Sequence, residues 1–232
     1  MESDRSARIV LFDIDGTLVR TGPVPRRAFR ASLREVFGTV GVIDGHEFGG
    51  KTDPQIAREV LGGTGISEAA IDDGVDRLLR RYVHLLEDGL RDPAARPVPL
   101  PGVRELLDAV GLEARCAPGL LTGNVEEGAR LKLEAAGLAE HFSFGAYGSD
   151  SAHRPDLPAV AVARARALGI RVEGVVVVGD TPRDVECGAL SGARTVAVAT
   201  GDYGEAELRS AGASVVLSDL TDTRAAVHAI LG

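Results

Sequence analysis

Short apolar runs that alternate with helical patterns constrain the fold of this chain more than any other feature. From about residue 100 onward, stripes such as Val103, Leu106, Leu107 and Val110, at i, i+3, i+4 and i+7, predict amphipathic helices. The valine run at 175–178 is continuous, which is typical of a strand covered on both faces. This alternation predicts an α/β protein with a parallel sheet and helices on both faces. The predicted strands cover residues 9–12, 118–121, 142–147, 175–178, 195–198 and 215–217.

The stretch from residue 21 to 97 breaks this rhythm. Apolar stripes at helical spacing start at Phe29 and at Val75, and no convincing strand accompanies them. Turn residues mark its borders, with Gly22-Pro23 on entry and several prolines on exit. We therefore predict a core made of residues 1–20 and 98–232, with residues 21–97 inserted as an all-helical cap.

Polar side chains follow three of the predicted strands. The set comprises Asp13, Asp15, Thr122, Gly123, Asn124, Asp180 and Asp184. Taken singly, each residue has an ordinary explanation as a turn residue or a helix N-cap. Ligands bind outside the carboxyl ends of the strands in open α/β sheets, and four carboxylates gathered there would repel one another without a counter-cation. Mg²⁺, a hard ion held by carboxylates and shared with a substrate phosphate, would remove that repulsion.

In order and spacing, these motifs resemble those of haloacid dehalogenase superfamily hydrolases, in the branch of phosphoglycolate phosphatase-like enzymes. Three motifs carry the resemblance: Asp13-x-Asp15-Gly16-Thr17, the strand end at Thr122, and Gly179-Asp180-Thr181-x-x-Asp184. It extends over almost the whole chain, including the helical insertion after the first motif. The family implies a Rossmann-like core with an inserted helical cap.

The resemblance also implies a mechanism. Asp13 would be the nucleophile that forms an aspartyl-phosphate, and Asp15 would protonate the leaving alcohol and then activate water. Thr122, with the neighbouring Gly123 and Asn124, would hold the transferred phosphoryl group at a helix N-terminus. Dehalogenases and the similar phosphonatases lack the second aspartate, so Asp15 favours a phosphatase or a phosphomutase.

A magnesium site is implied by the same resemblance. Asp180 would bind Mg²⁺ together with the Asp13 carboxylate and the Asp15 backbone carbonyl. Asp184 would be a further ligand or a supporting group. The first Asp-x-Asp pair is not a calcium-loop start, because Thr17 stands where a third acidic or amide side chain is needed.

The chain departs from the family at one position. The family usually places a lysine, often followed by proline, between the second and third acidic motifs. Lys132 lies well inside the predicted helix after Thr122, and Lys51 lies in the insertion. We therefore assign this phosphate-binding role to Arg154, which precedes Pro155, although a surface arginine is the simpler alternative.

A second motif competes with this interpretation. The segment from Gly45 to Thr52 matches the pattern GxxxxGK[ST] of nucleotide-binding P-loops. Residues 42–44 make a poor strand, and Asp53-Pro54 restarts the helix after the match, so we treat it as accidental. As part of a flexible cap loop, Lys51 would instead contact an anionic group of the substrate.

Composition excludes several other classes of protein. With 26 basic and 34 acidic residues the net charge is −8, which argues against a general nucleic-acid binder. The 2 cysteines form no metal-binding cluster, the first residues lack a signal-peptide pattern, and no apolar run is long enough to span a membrane. We expect a cytoplasmic monomer or homodimer.

The function predicted from the sequence is Mg²⁺-dependent hydrolysis of a small phosphorylated metabolite, with phosphoglycolate as the leading candidate. A sugar-phosphate mutase of the beta-phosphoglucomutase type is the nearest alternative, since it would use the same core. A P-loop nucleotidase and a non-catalytic phosphometabolite-binding protein are more distant ones.

Overall fold

The computed structural model describes residues 5–232, and its elements follow the predicted alternation. The strands are β1 (Arg5–Phe12), β2 (Val19–Arg20), β3 (Val98–Pro99), β4 (Cys116–Leu121), β5 (Gly145–Ala146), β6 (Ile170–Gly179), β7 (Arg194–Val198) and β8 (Val215–Leu217). The helices are α1 (Val24–Phe37), α2 (Asp53–Leu61), α3 (Glu68–Leu90), α4 (Val103–Leu112), α5 (Glu126–Ala136), α6 (Leu157–Ala167), α7 (Pro182–Leu190), α8 (Glu205–Ser210) and α9 (Thr223–Leu231). Six strands form one sheet in the order β5-β4-β1-β6-β7-β8, and every neighbouring pair is parallel. The predicted α/β fold is confirmed.

Strand β1 lies inside the sheet, and its side chains alternate between two apolar layers. Val10 and Phe12 pack with residues of α4, α5 and α9 on one face. Ile9 and Leu11 pack with residues of α6 and α7 on the other. All four side chains are fully buried, which explains why the apolar run in the sequence is continuous.

Several strands differ in extent from their predictions; β1, for example, begins at Arg5 rather than at residue 9. The strand predicted at 142–147 is reduced to β5, because the chain bends at Ser143 and only Gly145 and Ala146 pair with β4. Strand β6 begins at Ile170 rather than at residue 175. Its first half alternates between half-buried and exposed side chains, including the exposed Arg171 and Glu173, so it lacks the apolar run on which the prediction was based.

Helices α1, α2 and α3 pack around an apolar core of their own, as the insertion predicts. Phe29, Leu33, Leu78, Tyr82 and Leu86 are among its fully or almost fully buried residues. Where the chain enters and leaves this helical segment, β2 and β3 pair as an antiparallel ribbon, which is too short to leave a periodic pattern in the sequence. The predicted boundaries of the cap, between residues 20 and 21 and between residues 97 and 98, fall at this ribbon. The division of the chain into core and cap remains a prediction. None of the helices formed by residues 5–232 is long and apolar enough to cross a membrane.

The segment from Gly45 to Thr52 lacks the structural context of a nucleotide-binding P-loop. Residues 42–44 form a turn rather than a strand. Helix α2 begins only at Asp53, and the Thr52 hydroxyl caps it by accepting the Gln55 N–H at 3.2 Å. The helix therefore starts after the Lys-Thr pair instead of continuing through it.

A reciprocal pair of hydrogen bonds joins the helical segment to the sheet domain. The Asp53 N–H donates to the Gly123 carbonyl at 2.8 Å, and the Val125 N–H donates to Asp53 Oδ2 at 2.8 Å. Asp53 thus satisfies an amide at the start of α5 from a different part of the chain. The Thr52 hydroxyl adds a 2.8 Å bond to the Ala152 carbonyl. We call Thr52 and Asp53, with these contacts, the cap junction.

This junction generates a prediction about pH. Burial raises the pKa of Asp53 to about 6, although the Lys132 charge and the Val125 N–H oppose the rise. Because this pKa is higher than in the unfolded chain, ionised Asp53 costs stability increasingly as the pH rises from about 4 to 6, and the cost persists above that. Asp53→Asn removes this titrating group but keeps an acceptor for the Val125 N–H. The gain in free energy of unfolding that the substitution brings should therefore be about 1 kcal/mol larger at pH 8 than at pH 5.

Urea unfolding at the two pH values measures this difference. Asp72→Asn, at an exposed position of the same helical segment, is the matched control and should show no such gain. Equal effects of Asp53→Asn at both pH values would contradict the assignment.

Candidate active site

The predicted site residues meet at the carboxyl edge of the sheet. Phe12 of β1 is in register with Leu120 of β4 and Val178 of β6, so the polar residues that follow these strands emerge side by side. They line a cavity of about 500 Å³ between the sheet edge and the helical segment. Its walls include Asp13, Asp15, Thr122, Gly123, Asn124, Arg154, Asp180 and Lys51. Asp184 is the one predicted site residue that does not line this cavity.

Arg154 lies beside Asp13, at the place assigned to it from the sequence. Its Nη2 donates to Asp13 Oδ1 at 3.2 Å, to Asp184 Oδ1 at 2.5 Å and to the Leu121 carbonyl at 3.3 Å. The side chains of Arg154, Asp13 and Asp184 are 4%, 7% and 2% exposed, so the ion pairs are shielded from solvent. The alternative of a surface arginine is therefore wrong.

Burial and neighbouring charges act in opposite directions on these groups. Burial raises the pKa of Asp13 to about 7, Arg154 lowers it, and the carboxylates of Asp184 and Asp15 add to the rise. Burial opposes the charged form of Arg154, but the two carboxylates raise the pKa of its guanidinium above the ordinary value. The guanidinium is therefore a fixed positive charge next to a carboxylate that lacks full compensation.

Asp180 is held in place by the loops on either side of it. The Thr17 hydroxyl donates to Asp180 Oδ1 at 2.9 Å. Side chains at Gly16 and Gly201 would place a Cβ 2.4 Å and 1.8 Å from Asp180 Oδ2, so both positions require glycine. Burial raises the pKa of Asp180 well above its usual range, with further contributions from Asp13 and Asp184.

Three buried carboxylates could hold a metal ion here. Oxygen atoms of Asp13, Asp180 and Asp184 lie within 4.8 Å of one another. Asp184 is the least available of them, because its Oδ2 accepts the Thr181 N–H at 3.0 Å and hydroxyl at 2.7 Å while its Oδ1 accepts Arg154. The donors fit a hard divalent cation bound mainly by Asp13 and Asp180. The Asp15 side chain is not part of this group, and the role assigned to its backbone carbonyl remains a prediction.

The Asp15 carboxylate instead belongs to a second polar network. Its Oδ1 accepts the Thr21 hydroxyl at 2.8 Å, and its Oδ2 accepts Asn124 Nδ2 at 2.8 Å and Lys132 Nζ at 2.6 Å. Removal from bulk water would raise the pKa of Asp15, but the Lys132 charge and these hydrogen bonds together lower it. Asn124 Nδ2 also donates to the Thr122 hydroxyl at 2.8 Å, so the phosphate-binding candidates are connected to Asp15.

Lys132 is the site residue that sequence reasoning missed. Its position well inside α5 argues against a place in the site, yet its side chain is only 3% exposed and reaches the cavity. One signal was available: Lys132 follows Ala129 and precedes Leu133 and Ala136 on the apolar stripe of the helix, all of which are buried. A lysine on a buried stripe is rare unless it is paired.

The cap loop approaches the core more closely than a freely mobile arm would. A Cβ on Gly123 would lie 1.9 Å from the Lys51 carbonyl oxygen, and one on Gly50 would lie 2.5 Å from the Thr181 hydroxyl. These glycines allow close packing between cap loop and core. Lys51 lines the cavity, but its Nζ contacts Glu59 Oε2 at 2.5 Å and His46 Nε2 at 3.3 Å, and its contact with a substrate remains a prediction.

Comparison with known proteins places this site in a family. The model of the haloacid dehalogenase-like hydrolases matches residues 7–192. The chain therefore belongs to the haloacid dehalogenase-like hydrolases, as the motifs predict.

Individual relatives agree with this assignment. A phosphoglycolate phosphatase of Rhodospirillum rubrum is 29% identical over 222 residues, which cover 91% of this chain and 87% of the relative. An N-acetylmuramic acid 6-phosphate phosphatase of Pseudomonas putida is 27% identical over 97% of both chains. A hydrolase from Pseudomonas syringae has the same fold, with a TM-score of 0.73 and 23% identity over 96% of this chain and 98% of that one. The predicted class of enzyme, a phosphoric monoester hydrolase, is thereby confirmed.

The ion pairs of Arg154 generate a prediction about stability. Arg154→Ala leaves two buried carboxylates without their partner, which should lower the free energy of unfolding by about 3–5 kcal/mol. Arg154→Lys keeps the charge and should lose less. Urea unfolding measures both variants. The control is Arg130→Ala, which removes a half-exposed cation and should cost less than about 1 kcal/mol. An Arg154→Ala protein as stable as this control would contradict the analysis.

Proposed function

We propose that the chain is a Mg²⁺-dependent phosphatase that hydrolyses a small phosphorylated metabolite through an aspartyl-phosphate on Asp13. One observation carries the proposal: the buried Asp13 carboxylate lines the cavity with a guanidinium nitrogen of Arg154 3.2 Å from its Oδ1. A carboxylate nucleophile next to a permanent cation suits attack on a phosphate ester, because the cation stabilises the transferred group.

In the first half of the reaction, an Asp13 oxygen forms a bond to phosphorus. The ester P–O bond breaks, its electron pair stays on the leaving oxygen, and that oxygen takes a proton from the Asp15 carboxyl group, whose protonation the negative charge of the bound phosphate favours against the effect of Lys132. Thr122 and the neighbouring backbone amides hold the phosphoryl oxygens. Arg154 offsets their charge.

In the second half, a water oxygen attacks phosphorus and gives a proton to the Asp15 carboxylate. The bond between phosphorus and Asp13 breaks, and its electron pair returns to Asp13. Asp13 and Asp180 would hold Mg²⁺. Asp184 would act indirectly, through its ion pair with Arg154. When bound, the ion would offset negative charge on the phosphate and on the nucleophile.

The cavity and the relatives support the proposed substrate class. A cavity of about 500 Å³ covered by the helical segment suits a small metabolite rather than a macromolecule. The two phosphatases named above act on phosphate esters of small organic acids. We therefore keep a phosphoglycolate-like substrate as the proposal, with Lys51 as the cap residue that contacts its carboxylate.

The proposed nucleophile can be tested by one isosteric change. Asp13→Asn removes the nucleophile and a metal ligand while preserving shape, so it should abolish release of inorganic phosphate and leave the protein folded. EDTA should silence the wild-type protein and Mg²⁺ should restore it. The control is Asp72→Asn, which removes an exposed carboxylate and should keep full activity. Undiminished turnover by the Asp13→Asn protein would overturn the mechanism, and a rearranged phosphosugar in place of phosphate would indicate a mutase.

The role of Lys51 makes a separate prediction. A contact with the distal carboxylate acts on ground and transition states alike, so Lys51→Ala should raise KM for phosphoglycolate more than it lowers kcat. The KM for p-nitrophenyl phosphate, which lacks a carboxylate, should not change. Arg58→Ala, at an exposed cap position outside this cavity, is the control. Equal effects on both substrates, or none, would exclude the role.

A further inference from the structure

Lys132 forms a closed ring of hydrogen bonds with Asp15 and Asn124. Its Nζ donates to Asp15 Oδ2 and to Asn124 Oδ1, each at 2.6 Å, while Asn124 Nδ2 donates to the same Asp15 oxygen at 2.8 Å. An ammonium can only donate, so it fixes the orientation of the Asn124 amide as well. The ring determines where Asp15 Oδ2 lies relative to Thr122.

The exposed fractions of the Asp15 and Lys132 side chains show which residue faces the cavity and which one supports it. The Asp15 side chain is 36% exposed to the cavity, whereas the Lys132 side chain is 3% exposed. Although Lys132 lines the cavity, so little of its side chain is exposed that it contacts Asp15 and Asn124 rather than a substrate. Its third N–H is not needed for the ring.

Packing alone does not account for a lysine at this position. Its neighbours on the stripe of α5 are the buried Ala129, Leu133 and Ala136, so an apolar side chain would suit the helix face. A buried ammonium is costly unless it is paired. The chain has 26 basic residues, of which only Lys51 and Lys132 are lysines. A compact ammonium fits between two oxygens at 2.6 Å, whereas the planar fork of an arginine occupies a different space.

We propose that Lys132 is a positioning residue, which holds the Asp15 carboxylate where it exchanges protons in both halves of the reaction. The inference rests on the proposed function, since it assigns Lys132 a part in the proton transfers described for Asp15. It adds a residue that acts through its hydrogen bonds to Asp15 and Asn124 rather than through contact with the substrate.

Two esters separate this role from a structural one. The leaving group of p-nitrophenyl phosphate departs without a proton, so transfer to Asp13 does not need Asp15, but hydrolysis of the aspartyl-phosphate does. Phenyl phosphate needs the proton in both halves. The constant kcat/KM reports only the steps up to the first irreversible one, which here is transfer of the phosphoryl group to Asp13. On phenyl phosphate kcat/KM therefore tests the first half of the reaction, whereas kcat on p-nitrophenyl phosphate tests the second half.

Lys132→Met should lower kcat about 10²-fold on both esters, since misplaced general acid–base groups cost rates of this order. On p-nitrophenyl phosphate KM should fall with kcat, so that kcat/KM stays within about threefold and a burst of nitrophenolate appears. On phenyl phosphate kcat/KM should also fall. Asp15→Asn should give the same pattern, and adding Lys132→Met to it should cause no further loss.

Two further variants complete the experiment. Lys132→Gln keeps a hydrogen-bond donor and should recover part of kcat, and it replaces Lys132→Met if that protein does not fold. Arg130→Met, an exposed cation on the same helix, should leave both constants unchanged. A loss of kcat/KM on p-nitrophenyl phosphate as large as that on phenyl phosphate, or a multiplied loss in the double variant, would overturn the inference. If the wild-type protein releases no Asp13-dependent phosphate from either ester, the proposed function itself fails.

Discussion

Negative charge gathered at the carboxyl edge of the sheet is the constraint on which the rest of the site depends. Parallel strands β4, β1 and β6 end together, which brings oxygens of Asp13, Asp180 and Asp184 within 4.8 Å of one another. Burial disfavours the ionised form of these carboxylates, as the raised pKa values of Asp13 and Asp180 show. The arrangement therefore requires cations, and it creates an electrostatic environment suited to an incoming phosphate group and a divalent ion.

Two cations at this edge of the sheet are paired with its carboxylates, Arg154 with Asp13 and Asp184 and Lys132 with Asp15. Arg154 lies between Asp13 and Asp184 and neutralises the proposed nucleophile from the side of α6. Lys132 lies under Asp15 and supports the proposed acid–base group from α5. The planar guanidinium of Arg154 suits the bridging of two carboxylates. The compact ammonium of Lys132 suits a small ring of hydrogen bonds.

The helical segment is tied to the same loop that forms the phosphate-binding candidates. The cap junction bonds to Gly123 and Val125, while Asn124 in between contacts Asp15 and Lys132. A movement of the cap would therefore displace the loop that we propose contacts the phosphate. The absence of a side chain at Gly123 is what lets the Lys51 carbonyl come this close.

Local signals were sufficient for part of this picture. The apolar runs and helical stripes gave the parallel sheet and the helical segment, because burial on both faces or on one stripe leaves a period that can be recognised in the sequence. Asp13, Asp15, Thr122 and Asp180 could be grouped because the ends of parallel strands meet at one edge. The β2–β3 ribbon could not be predicted, since strands of two residues carry no period.

The sequence by itself determined the alternation of strands and helices in the core, the acidic motifs and the choice of Arg154. Only the tertiary structure decided that Lys132 joins Asp15 and that Asp53 bonds to the start of α5. The reason is physical: a helix turns by about 100° per residue, so which side chain enters a site depends on how the helix packs against its neighbours. That packing joins residues far apart in the chain, and no local pattern records it.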